Sequence, residues 1–172
     1  GIEAPREVGG ALPGTHAVVL EWVARVPGAV SRGTSLSGVA AIVDSGRPGP
    51  TVWLRGDMDA LAMPEDTGLD FASEIPMTMH ACGHDMHTAM LIGAARLLAA
   101  HRDSLEVDVV FMFQPGEEGW DGDGLLLDEG VLGAAGRRVA SASGNQGIAS
   151  QSPRATFAAR PVAPIAPHAR LA

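Results

Sequence analysis

The segment Val107–Phe113 constrains the fold of this chain more than any other. It reads VDVVFMF and is apolar at nearly every position. A strand with one solvated face alternates apolar and polar residues, whereas a strand covered on both faces is apolar almost throughout. The sequence therefore predicts a sheet with helices packed on it, which is an α/β fold.

An amphipathic helix is predicted just before this strand, from about Asp85 to Ala100. Its apolar residues recur with the spacing of one helical face. They are Met86, Met90, Leu91, Ala94, Leu97 and Leu98. Shorter apolar runs predict a strand or short helix at Ala17–Val23 and a short helix at Gly124–Gly130.

Two further strands are predicted at Gly38–Asp44 (GVAAIVD) and Thr51–Arg55 (TVWLR). The residues between them, Ser45–Pro50, read SGRPGP and are typical of a turn. Two β-branched runs joined by such a turn predict a β-hairpin.

Composition narrows the class of protein. The 172 residues are 46% apolar and 19% charged, which is typical of a globular domain. The net charge of -8 disfavours binding to nucleic acid, because phosphate binding needs a basic face. No apolar run is long enough for a membrane span, and no signal peptide is recognisable. The single cysteine, Cys82, excludes an internal disulfide and favours a reducing compartment, so we expect a cytoplasmic protein.

The strongest chemical signal is the segment Met79–His87, MHACGHDMH. Cys82 and His84 lie two residues apart, immediately before the predicted helix. A thiolate and an imidazole are good ligands for Zn, Co, Mn or Fe. The positive end of the helix dipole would also favour the thiolate form of Cys82. His80 and His87 are either further ligands or structural residues.

A second signal, QPGEEG, follows the buried strand at Gln114–Gly119. Its two adjacent carboxylates, Glu117 and Glu118, raise each other's pKa unless a cation is present. One glutamate could therefore bind a metal while the other takes a proton from water. The alternative is a solvated acidic turn.

A third, weaker signal is Arg55–Ala60, RGDMDA, at the end of a predicted strand. Its aspartates, Asp57 and Asp59, could be loop residues, a helix cap, or partners that orient a histidine ligand.

In order along the chain, LRGDMDALAMPEDTG, MHACGHDMHTAMLIGAA and VFMFQPGEEG resemble the M20 metallopeptidase family. The similarity is greatest to its amidohydrolase branch, which hydrolyses N-acyl amino acids. It implies a three-layer αβα catalytic domain with a mixed, largely parallel sheet. The matching segment is 38–139. It lies between a poorly matched N-terminal segment, 1–37, and an irregular tail rich in Ala, Pro, Ser and Arg, 140–172.

The resemblance also implies roles for individual residues. Cys82, His84 and Glu118 match metal ligands, Glu117 matches the general base that activates water, and Asp59 falls in a motif that supports the site. One or two divalent ions (Mn, Zn, Co or Ni) are expected. The expected substrate is an N-acyl amino acid or a short peptide, and the intact family forms homo-oligomers.

The chain departs from the family pattern at several points. Gln146 or a neighbour stands where relatives carry a third histidine ligand, Met77 stands where they usually carry glycine, and His168 has no family context. The lid and dimerisation domain of the family is not recognisable. The alternatives are therefore a truncated, catalytically inactive fragment with partial metal binding, or a structural metal-binding module.

Overall fold

The computed structural model describes residues 6–130 and 139–144. The main elements in chain order are α1 (Pro13–Val23), β1 (Ala29–Arg32), β2 (Val39–Val43), β3 (Thr51–Asp57), α2 (His84–Ala100), β4 (Asp108–Gln114), α3 (Gly122–Asp128) and β5 (Val139–Gly144). A single 3-10 turn at Arg102–Ser104 connects α2 to β4. The described residues include no helix that is long and apolar enough to cross a membrane.

The five strands form one mixed sheet in the order β1-β2-β4-β3-β5. The pairs β1–β2 and β2–β4 are antiparallel, and the pairs β3–β4 and β3–β5 are parallel. All seven residues of β4 are buried, as its apolar sequence predicts. The α/β class and the mixed sheet are confirmed.

The predicted hairpin between β2 and β3 is wrong, because β4 lies between these strands. Phe111 is opposite Ala41 of β2 on one side and Leu54 of β3 on the other. The connecting turn is fastened to the start of β4 instead. The carboxylate of Asp108 accepts hydrogen bonds from the backbone N–H and the hydroxyl of Ser45, both at 2.9 Å.

Helices cover both faces of the sheet. On one face, α1 and α2 pack side chains such as Val19 and Ile92 against Phe111 and Phe113 of β4. On the other face, Leu126 of α3 packs with Trp53, Val110 and Met112. Alternate residues of β4 therefore enter two separate cores, and the three-layer arrangement follows. Each fully buried large side chain contributes about 1.5–3 kcal/mol of transfer free energy.

The predicted helices lie close to the observed ones, and Ala17–Val23 is part of α1. Strand β5 extends past residue 140, where we placed the start of the irregular tail. The division into 1–37, 38–139 and 140–172 stays a prediction, and residues 145–172 lie outside the described part of the chain.

The topology brings three chain segments to one edge of the sheet. β3 and β4 are parallel, so their carboxyl ends lie side by side, with Asp57 opposite Gln114. The loop after β3 is closed at its base by two backbone hydrogen bonds between Leu61 and Met79, and α2 then begins at His84. This edge is where α/β sheets usually bind ligands.

Candidate metal centre

The four residues predicted to form the site come together at this edge. Possible ligand atoms of Cys82, His84 and Glu118 all lie within 4.8 Å of one another. A carboxylate oxygen of Glu117 lies 3.8 Å from His84 Nε2. Cys82 is exposed, His84 is buried, and the two glutamates are partly buried. The site is thus open on the side of Cys82 and closed behind His84.

His84 is the centre of this cluster. Its side chain is fully buried, and Nδ1 donates a hydrogen bond to the backbone carbonyl of Asp59 at 2.8 Å. In the neutral ring Nε2 is then the acceptor nitrogen, and it has no hydrogen-bond partner among the described residues. It faces the carboxylates of Asp57 at 3.7 Å, Glu117 at 3.8 Å and Glu118 at 3.9 Å. A buried polar atom without a partner is costly unless an ion or water satisfies it.

Asp59 fastens the glutamate loop to the end of β3. Its two carboxylate oxygens accept hydrogen bonds from the backbone N–H groups of Glu117 at 3.0 Å and Glu118 at 3.1 Å. Burial raises the pKa of Asp59, but hydrogen bonds from His84 and from these two N–H groups outweigh burial and lower it overall. Asp59 therefore fits the predicted supporting role, since it orients both a histidine and the glutamate pair.

Glu117 lies where a proton acceptor is needed. Burial raises its pKa, and the negative charges of Asp57 and Glu118 raise it further. A carboxylate with a raised pKa is a stronger base toward water. For His84, burial lowers the pKa, but the hydrogen bond to Asp59 and the charge of Asp57 outweigh burial and raise it.

Cys82 differs from expectation in its protonation. Its contact with Glu118, followed by burial and the charges of Glu118, Glu117 and Asp59, raises the pKa of the thiol to about 11. The start of α2 was expected to favour the thiolate, but the nearby carboxylates have the larger effect. A divalent cation would reverse this balance, because metal binding displaces the thiol proton.

The donor set fits a divalent cation. A thiol, an imidazole nitrogen and a carboxylate are the side chains that bind zinc and neighbouring metals. Several carboxylates converge on one buried nitrogen, and a cation is the partner that offsets their mutual repulsion. The three candidate ligands leave further coordination positions open, as hydrolytic sites require.

The sequence left open whether two residues beside this cluster, Asp57 and His87, belong to the site or are structural. The side chain of Asp57 is fully buried, and its Oδ1 forms an ion pair with Arg55 Nη2 at 2.6 Å. Its other oxygen, Oδ2, lies 3.8 Å from His87 Nδ1. Ligand atoms of Asp57, His84 and His87 lie within 4.8 Å of one another. The available signal was spacing, because His84 and His87 are three residues apart on one helix and therefore share a face.

His80 enters neither group, although both of its ring nitrogens are buried and have no hydrogen-bond partner in the described part of the chain. Gln146 and His168 lie outside the described residues.

A family model described as peptidase family M20/M25/M40 matches residues 53–159. Among curated proteins, the chain is 49% identical over 98 residues to an IAA-amino acid hydrolase, ILR1-like 4, of Arabidopsis thaliana. That alignment covers 57% of this chain and 22% of the relative. This chain is also 48% identical over 96 residues to an N-acetylcysteine deacetylase of Bacillus subtilis, and that alignment covers 56% of this chain and 25% of the relative.

The fold is also similar to a solved structure. The Bacillus subtilis YXEP protein is described as a dinuclear metal binding peptidase from the M20 family. It superposes with a TM-score of 0.75 at 36% identity, covering 83% of this chain and 39% of that one. By sequence alignment, the chain spans about a quarter of the length of the two curated relatives, the Arabidopsis hydrolase and the Bacillus deacetylase.

Proposed function

The chain belongs to peptidase family M20/M25/M40, and we propose that it is a metal-dependent hydrolase that cleaves the amide bond of N-acyl amino acids or short peptides. One observation carries the proposal. The buried Nε2 of His84 faces a potential metal ligand, Glu118, and a potential base, Glu117, at 3.9 and 3.8 Å. The names of the plant and bacterial relatives, an IAA-amino acid hydrolase and an N-acetylcysteine deacetylase, support this class of substrate.

We assign the metal to Cys82, His84 and Glu118. Sulfur in the donor set favours later, softer metals, and among Mn, Zn, Co and Ni we expect Zn, Co or Ni to bind most tightly. A divalent cation supplies Lewis acidity when bound, which polarises an amide carbonyl and acidifies water. One ion per site, or two, is compatible with this assignment.

The proton transfers belong to Glu117. Its raised pKa suits a carboxylate that accepts a proton from the attacking water and returns it to the leaving amine. Asp59 holds the backbone of Glu117 and Glu118, so that the base and the ligand keep a fixed separation.

We also propose a domain assignment, a cellular location, a type of substrate and an assembly for this protein. We propose that 38–139 belongs to the catalytic domain, and that the protein acts in the cytoplasm, where a lone cysteine ligand stays reduced. The substrate is a small molecule, and homo-oligomers are the expected assembly of an intact family member.

A second candidate is a chain that binds metal without hydrolysing amides. Gln146 favours it, because a glutamine oxygen at the place of a third histidine is a poor ligand beside sulfur and nitrogen. The two candidates share metal binding and differ only in turnover.

Glu117→Gln tests the proposal. The metal-loaded protein is assayed with a panel of N-acetyl and N-benzoyl amino acids, beside Glu74→Gln, an exposed glutamate, as control. We expect Glu117→Gln to lower kcat/KM by about 10²–10⁴-fold, with metal affinity nearly unchanged. Metal binding without hydrolysis in the wild type would favour the second candidate. Equal activity of Glu117→Gln and the wild type would refute the role of Glu117.

A further inference from the structure

An exposed tryptophan, Trp120, lies on the same short loop as the two glutamates of the candidate centre. The loop 116–122 is closed by a hydrogen bond from the backbone N–H of Gly122 to the carbonyl of Gly116 at 3.1 Å. Because Trp120 follows Glu118 by two residues, their Cα atoms are no more than about 8 Å apart. The closed loop therefore keeps an indole ring near the proposed base and the proposed metal ligand.

The indole ring of Trp120 is supported on one face by the backbone of Gly9. A Cβ atom placed on Gly9 would lie 3.0 Å from Cε2, 3.2 Å from Cδ2 and 3.3 Å from Nε1 of the ring. Cε2 and Cδ2 share the bond between the two fused rings, so Gly9 lies against the face of the indole and not against its edge. Gly9 has a φ of 87°, and a side chain there would displace the ring. Trp120 is still 58% exposed, so the opposite face is open.

Gly9 lies at the same edge of the sheet as the candidate centre. Its neighbour Val8 forms a parallel β-bridge with Ala60. Asp59, which precedes Ala60, accepts the backbone N–H groups of the glutamate pair. The open face of Trp120 is therefore a preformed apolar surface at the rim of this centre.

We propose that Trp120 determines the acyl-group specificity of the enzyme, by stacking its open face on an aromatic acyl group of the substrate. This inference rests on the proposed hydrolysis of N-acyl amino acids. Stacked and edge-to-face aromatic pairs strengthen an interaction by about 2–10-fold beyond the effect of the buried area. A benzoyl group should therefore be preferred to an acetyl group, which has no ring.

Charge determines which half of the substrate lies against Trp120. An N-acyl amino acid has a neutral acyl group at one end and an anionic carboxylate at the other. Trp120 lies between the glutamate pair and two exposed aspartates, Asp121 and Asp123. These carboxylates repel the carboxylate of the substrate, whereas a neutral aromatic ring gains from contact with the indole. The acyl group is thus the half that fits this surface.

The acyl preference of Trp120 variants tests the proposal. We measure kcat/KM for N-benzoyl-L-alanine and N-acetyl-L-alanine with the metal-loaded protein. Trp120→Leu should lower the benzoyl-to-acetyl ratio of kcat/KM by about 2–10-fold, mainly through KM. Trp120→Phe, which keeps an aromatic face, should retain most of the preference. Leu97→Ala is the control, because Leu97 is 60% exposed but lies 13 residues, or about 20 Å, along α2 from His84.

A fluorescence titration separates a failure of this inference from a failure of the proposed function. Trp120 is the only exposed one of the chain's three tryptophans, all of which lie in the described residues. N-benzoyl-L-alanine stacked on its face should change the tryptophan emission of metal-loaded Glu117→Gln, in which turnover is slow. N-acetyl-L-alanine should change this emission less.

Two results would overturn the inference: an unchanged benzoyl-to-acetyl ratio in folded Trp120→Leu, or no change of emission with N-benzoyl-L-alanine. A wild type that hydrolyses neither substrate would count against the proposed hydrolysis. The titration would then still decide the role of Trp120, as it would if Trp120→Leu did not fold.

Discussion

Replacing Asp59 with asparagine removes the charge that holds the glutamate loop. In the wild type, each carboxylate oxygen of Asp59 accepts one backbone N–H, from Glu117 and from Glu118. An asparagine side chain keeps one acceptor oxygen and presents an NH₂ donor to the second N–H. A hydrogen bond to a charged group contributes about 1.5–3 kcal/mol, and an unsatisfied buried donor costs about 1–3 kcal/mol. We therefore expect Asp59→Asn to lower the free energy of unfolding by about 2–4 kcal/mol.

The loss should depend on pH. Folding lowers the pKa of Asp59 from its ordinary value of 3.8, so its ionised form stabilises the native state above that pH. The contribution disappears as pH falls through the folded pKa, and the two proteins should then converge. Urea unfolding at pH 7 and at a series of lower pH values measures both effects, with Asp66→Asn, an exposed aspartate in the loop after β3, as control. Equal midpoints for Asp59→Asn and the wild type at pH 7 would refute the assigned role.

Two further predictions concern residues outside the centre. Met77 has a backbone φ of 57°, and Met77→Gly should raise stability by about 1 kcal/mol, because only glycine adopts this region without strain; a lower melting temperature in calorimetry than the wild type would contradict it. Glu129 accepts hydrogen bonds from the backbone N–H groups of Thr34 at 2.9 Å and Ser35 at 2.6 Å. Although burial raises the pKa of Glu129, these bonds and one from the Ser35 hydroxyl lower it below 4.5, so Glu129→Gln should lower the melting temperature above pH 4.5 and have no effect well below it. A pH-independent difference would exclude this account.

Patterns within a single segment correctly predicted those helices and strands whose own residues show an apolar run or a helical period. The apolar run of β4 and the periodic residues of α2 are sufficient to locate both, because burial on one or two faces leaves a direct trace in the sequence. The resemblance also predicted that Met77 stands at a position suited to glycine, and the positive φ of Met77 is a conformation that glycine adopts more easily.

Strand pairing was not predictable in the same way. The turn between β2 and β3 has the composition of a hairpin, but its conformation depends on Asp108, which is 63 residues beyond Ser45. Contacts at that separation leave no periodic signal, so the insertion of β4 between the two strands could only be seen in the fold.

The site also has a part that the sequence predicted and a part that only the fold reveals. Cys82, His84, Glu117 and Glu118 were predicted from ligand types at a helix start and a strand end, and the fold brings them together. The protonation of Cys82 and the grouping of Asp57 with His87 depend on which charges become neighbours in three dimensions. Short motifs do not contain that information.

The central claim is that His84 is the nucleus of a metal centre, and metal stoichiometry tests it most directly. Wild type and His84→Asn are loaded with Zn²⁺ or Co²⁺, dialysed and measured by elemental analysis, with His101→Asn as the control. We predict about one or two divalent ions per chain for the wild type and the control, and almost none for folded His84→Asn. A folded His84→Asn that retains as much metal as the wild type would contradict the account.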